Sequence, residues 1–108
     1  MRVSKFKADC FVQAKLEEWG LSHFSWKWKN IESYYGSASV GTNEIVLNLE
    51  LLKSKKKLEW VVLHEICHCL DYNERGTFLN EKGRNDFHGK NFKKWCSIVG
   101  VSYSRLID

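Results

Sequence analysis

Five consecutive residues near the middle of the chain restrict its fold more than any other feature. His64-Glu65-Ile66-Cys67-His68 lies inside a mostly apolar stretch, residues 58–70, and the pattern predicts a long helix over residues 55–72. Leu58, Val62, Ile66, Cys69 and Leu70 share one arc of its helical wheel. Residues four apart on a helix differ by about 40° in direction, so His64 and His68 point to one side, on the adjacent arc. Glu65 lies about 100° round from His64, near the boundary of the two arcs. Two histidines and a glutamate on such a stretch are costly to bury without partners. A metal ion satisfies them. H-E-x-x-H is the spacing at which two histidines hold zinc and the glutamate acts on the zinc-bound water.

A catalytic zinc usually takes three protein ligands and keeps a fourth position for water. His88 is the first candidate for the third. It sits at the start of a last helix expected from residue 86 or 87 to residue 99. Phe92, Trp95, Cys96 and Val99 are the apolar positions of that helix, and His88 precedes Phe92 by one turn. Gly89 beside it permits close backbone approach. Glu74, Glu81 and Asp86 are the carboxylate alternatives, and a helix-capping or core-bonded histidine is the structural one. His23 falls on the strand face opposite Phe24 and Trp26 and reads as solvated. Cys67 and Cys69 point about 160° apart on the helix, so they read as packing residues.

The rest of the chain supplies a scaffold. Phe6, Cys10 and Ala14, with Phe11, fall at helical spacing over residues 6–19, and Gly20 is a natural stop. Phe24, Trp26 and Trp28 alternate with polar residues, the period of a half-buried strand. Residues 34–40 and 44–49 flank the turn Gly41-Thr42-Asn43 and read as a hairpin. Residues 73–86 read as mostly loop, and residues 101–108 give no clear signal. The order predicts an α+β fold, a small three-stranded sheet with about three helices, in one domain over residues 1–108.

Composition bounds the setting. With 44% hydrophobic residues, five Trp and six Phe, the chain has enough apolar surface for a core and is not of disordered type. No run of about 18 apolar residues is present to span a membrane. The first ten residues carry charges throughout and lack an apolar signal core, so a cytoplasmic location with reduced cysteines is expected. Cys10, Cys67, Cys69 and Cys96 also lack the paired spacing of a zinc ribbon. The net charge of +4 reads as ordinary surface charge, with an anionic partner as the alternative.

Three segments resemble the SprT-like zinc metallopeptidases, the group that includes the Spartan protease. They are Glu44-Ile45-Val46-Leu47-Asn48 followed by Leu51-Leu52, then His64-Glu65-Ile66-Cys67-His68, then His88-Gly89-Lys90-Asn91-Phe92. The last is similar to the family's H-G-x-x-aromatic element carrying its third zinc ligand. The resemblance implies a minimal zincin-like core. It also implies a peptidase acting on proteins or peptides, including DNA-associated proteins. The expected metal ligands are His64, His68 and His88, and the expected general base is Glu65. Tyr72 or Tyr103 is a further donor near the oxyanion, with no choice between them. Asp71 is expected either to orient His64 or His68 or to be a solvated helix-end carboxylate. The strand over residues 44–48 is either a sheet edge that takes an extended substrate or an internal strand. Lysines 53, 55, 56 and 57, and 90, 93 and 94, with Trp26 and Trp28, leave open an alternative: a nucleic-acid-binding module with a structural zinc and no protease activity.

Overall fold

The computed structural model describes residues 2–103; residues 104–108, within the tail left unassigned above, lie outside the described residues. Its elements run α1 (Lys5–Glu18), β1 (Ser25–Lys29), β2 (Gly36–Ser39), β3 (Glu44–Asn48), a 3-10 turn (Leu49–Lys53), α2 (Lys55–Arg75) and α3 (Lys90–Val99). The three helices and the small mixed sheet are the expected α+β arrangement.

α1 starts at Ser4, whose hydroxyl accepts the Lys7 N–H at 3.2 Å, and it stops where Gly20 takes a left-handed φ of 72°. Its buried face corrects the sequence expectation. Ala8, Val12 and Leu16 point inward, whereas Phe6 is 76% exposed and Cys10 and Ala14 are also exposed. Both stripes have a four-residue spacing. Periodicity sets the period of a helix but leaves its phase to tertiary packing.

The sheet order is β1-β3-β2. β2 and β3 form the expected antiparallel hairpin, its turn closed by Asn43 at a φ of 52°. β1 pairs with β3 in parallel. β3 is therefore the central strand, its backbone already paired on both sides, and it is no edge for a substrate. The free edge next to α2 belongs to β2. Ile45 and Leu47 of β3 send their side chains into a core shared with Val12 and Leu16 of α1 and Val62 and Ile66 of α2. Asn48 ends β3 as a buried knot. Its amide donates to the carbonyls of Ile31 and Tyr34, both at 2.9 Å, while its Oδ1 accepts the Glu50 N–H at 3.0 Å.

α2 is capped by Ser54, which accepts the Lys57 N–H at 3.3 Å, and it closes at Gly76 with a φ of 71°. It runs three residues beyond the expected stop. α3 begins at Lys90, later than expected, because Gly89 is its N-cap. A Cβ at Gly89 would overlap the Asp86 carboxylate, so any larger residue there must displace that side chain. α3 packs on α2 through a small second cluster of Cys67, Phe92 and Cys96.

Candidate metal centre

α2 carries His64, Glu65 and His68, all buried, with exposures of 0%, 0% and 5%. His88 comes from outside any helix: it sits on the turn just before α3, a correction to its expected place at the helix start. The chain nevertheless brings it back to the pair. Ring centroids are 4.9 Å apart for His64 and His68, 5.5 Å for His64 and His88, and 4.8 Å for His68 and His88.

One residue explains why the three rings converge. Phe92, fully buried, lies 5.0 Å from the His64 ring, 4.3 Å from His68 in a stacked contact, and 5.1 Å from His88. It forms an apolar floor against which each imidazole packs. The floor excludes water on one side, so the polar ends of the rings are left to face one another.

A donor atom from each ring lies within 4.8 Å of the other two. Zinc–imidazole bonds of about 2.0–2.1 Å in a tetrahedral shell place donor nitrogens about 3.3–3.4 Å apart. Small side-chain rotations close that difference, and three neutral imidazoles are a donor set that suits zinc. The three residues fit the ion. Among the described residues they form a group able to hold a metal, and Glu74, Glu81 and Asp86 are not in it. Glu74 instead pairs with Lys94. His23 lies just before β1 and is exposed, its ring against Phe24 at 4.9 Å.

The site opens on a cleft of about 240 Å³ lined by Ser37, Ala38, Glu65, His68, Phe78, Phe87 and His88. Ser37 and Ala38 belong to β2, so the sheet edge forms one wall. Gly36 brings that edge down onto α2: a Cβ there would meet Val61 Cγ1 at 2.9 Å and Glu65 Oε2 at 3.4 Å. The missing side chain at Gly36 is what lets this strand lie on the helix. Phe78 and Phe87 make the opposite wall, their rings 4.9 Å apart.

The remaining candidates separate clearly. The Tyr103 hydroxyl donates to the His88 backbone carbonyl at 3.5 Å, Tyr72 packs on Phe78 at 5.1 Å, and neither lines the cleft. Asp71 is no solvated carboxylate. It is fully buried and accepts hydrogen bonds from Arg75 and Asn91. Those two partners carried no recognisable signal in the sequence. Cys67 and Cys69 pack, as expected, and all four cysteines are free thiols. A hydrogen bond with Cys96, then burial, pushes the Cys67 thiol far above the ordinary range. Burial, then the charge of Glu65, does the same to Cys69.

Among the described residues, no helix is long and apolar enough to cross a membrane. No curated protein and no solved structure gives a significant match. The model of the SprT-like family matches residues 4–107, nearly the whole chain and all three histidines, and the protein belongs to the SprT-like family.

Proposed function

We propose that this protein is a zinc-dependent peptidase in which His64, His68 and His88 hold the metal and Glu65 is the general base. The observation that carries this reading is the convergence of the three imidazoles beside a buried glutamate, in a cleft walled by a sheet edge. Bound there, zinc would supply a Lewis acid that lowers the pKa of water and stabilises a developing oxyanion.

The chain's own groups have separate tasks. Glu65 faces the cleft from α2 and is placed to take the proton of the attacking water and pass it to the leaving amine. β2 offers its unpaired backbone to an extended peptide, which adds as a further strand across the cleft. A protein in an extended or unfolded state suits that edge better than a folded surface. We place the reaction in the cytoplasm, in one domain.

The nucleic-acid alternative has less support. The indole N–H groups of Trp26 and Trp28 both donate to Asp9 Oδ1, at 3.0 and 2.8 Å, which pins the rings to α1. Lys53 pairs with Glu50, Lys94 pairs with Glu74, and Lys57 donates to the Tyr35 hydroxyl. Three of the seven lysines are thus engaged within the chain.

The test is digestion of an unfolded protein such as reduced casein by the zinc-loaded chain. Wild type cleaves it, while Glu65→Gln keeps its zinc and cleaves at least about a hundredfold more slowly, the usual scale of lost acid–base catalysis. Equal cleavage by both proteins removes Glu65 from the mechanism, and no cleavage by wild type removes the peptidase reading.

A further inference from the structure

His88 lies outside any helix, and a second charged cluster sits beside the segment that carries it. Residues 77–86 form a strap with two paired legs: Leu79 bridges Asn85, and the Asp86 N–H donates to the Phe78 carbonyl at 2.7 Å. The strap ends two residues before His88. Arg75, at the end of α2, grips both legs. Its Nη1 donates to the Leu79 carbonyl and its Nη2 to the Asp86 carbonyl, each at 3.2 Å.

The same guanidinium is held from below. Arg75 Nε and Nη2 donate to the two oxygens of Asp71, at 2.6 and 2.9 Å. Asp71 Oδ1 also accepts the Asn91 side-chain amide at 2.7 Å, which ties in the first turn of α3. Asp71 is fully buried, while the Arg75 side chain retains 22% exposure. The Asp71 hydrogen bond, ahead of the opposing effect of burial, raises the Arg75 guanidinium further above its ordinary range. The chain therefore keeps a buried carboxylate whose partners lie on both sides of His88, Arg75 through the strap before it and Asn91 after it. A buried carboxylate with partners this complete is rigid, because any displacement leaves a charge uncompensated.

We infer that Arg75, oriented by Asp71, is a positioning residue that holds the strap and thereby delivers His88 to the metal. The inference rests on the zinc reading above. Arg75 touches neither metal nor substrate; it acts through the backbone on either side of Phe78 and Phe87, so it also sets the cleft wall those rings form. Only a planar fork serves both legs and the carboxylate together. A lysine keeps the charge opposite Asp71, but its three donors radiate from one nitrogen and cannot span both legs and the carboxylate.

The experiment is a double-mutant cycle on zinc affinity, measured by competition with a chromophoric chelator. Arg75→Lys weakens zinc binding by about ten- to a hundredfold, the usual scale for partners that orient a ligand. In a His88→Ala background the same change has less than about a twofold effect, because the residue it positions is already gone. The cobalt(II) spectrum of Arg75→Lys shifts toward that of His88→Ala, a signature that mere destabilisation does not produce. Asn91→Ala gives a smaller loss of the same kind and carries the cycle should Arg75→Lys fail to fold. Equal losses in the two backgrounds, or wild-type affinity in Arg75→Lys, overturn the positioning role. Failure of wild type to bind zinc overturns the metal reading itself, and the inference with it.

Discussion

Gly36 and Glu65 are pressed together: a Cβ built on Gly36 would lie 3.4 Å from both Cγ and Oε2 of Glu65, and 2.9 Å from Val61 Cγ1. The sheet edge and the glutamate thus share one contact, and the absent side chain is what permits it. Gly36 has no left-handed φ, so the constraint is steric rather than conformational. Gly36→Ala forces β2 off α2 or displaces Glu65. It destabilises the protein by about 1–3 kcal/mol, the usual cost of overpacking, and lowers hydrolysis of an unfolded substrate more than zinc affinity. Gly41→Ala, with nothing within 4 Å, is the control that changes neither. Urea unfolding, zinc titration and a casein assay on both variants check this.

Phe92 supports all three imidazoles, so its loss combines a cavity with a loosened site. Phe92→Ala lowers stability by about 3–5 kcal/mol. Phe92→Leu keeps most of the core volume and remains folded, yet it binds zinc more weakly because a branched side chain gives no flat floor to His68. Zinc affinity measured on the folded Leu variant separates the two effects.

Asn48 holds three backbone groups at the end of β3. Asn48→Ala strands those groups and costs about 2 kcal/mol. For a chain of this length a loss of that size lowers Tm by roughly 8–16 °C, readable by calorimetry. Asn48→Asp keeps the acceptor for the Glu50 N–H but turns a buried carboxylate oxygen toward the Ile31 and Tyr34 carbonyls, so it does not recover the loss.

One buried thiol makes the protein sensitive to alkali. Burial, then the charge of Glu65, makes Cys69 ionise far above the ordinary thiol range in the folded chain, whereas the unfolded chain ionises it at about 8.5. The folded state then holds this proton where the unfolded state has lost it. Stability from this source is complete below about pH 8.5 and is lost as pH rises, by up to about 1.4 kcal/mol per pH unit. Unfolding in urea at pH 7.5 and 9.5 shows that fall, and Cys69→Ala makes it shallower. Exposed Cys10 is the thiol that reacts fast with iodoacetamide at pH 8.

The proximity of His64, His68 and His88 was more legible in the sequence than the helix phase and strand order around them, and the reasons are physical. His64, Glu65 and His68 are fixed relative to one another by helix geometry alone, so their spacing already placed them together. Phe92 and Cys96 likewise marked the inward face of α3. α1 failed on phase, since Phe6-Cys10-Ala14 and Ala8-Val12-Leu16 are equally periodic and only the packed core selects between them. β3 could not be placed as edge or centre because strand order depends on the parallel pairing with β1, which leaves no local mark. Arg75 fell in the segment read as mostly loop, and its grip on Leu79 and Asp86 exists only once the strap has folded back. Gly36 carries no local mark of its contact with Val61 and Glu65, which exists only once α2 packs against β2.

The central claim is that His64, His68 and His88 hold one zinc ion, and X-ray absorption on the zinc-loaded chain tests it most directly. The account predicts one zinc per chain, three imidazole nitrogens and no sulfur in its coordination shell, with one imidazole fewer in His88→Ala. A chain that retains no zinc, or a shell containing cysteine sulfur, would contradict it.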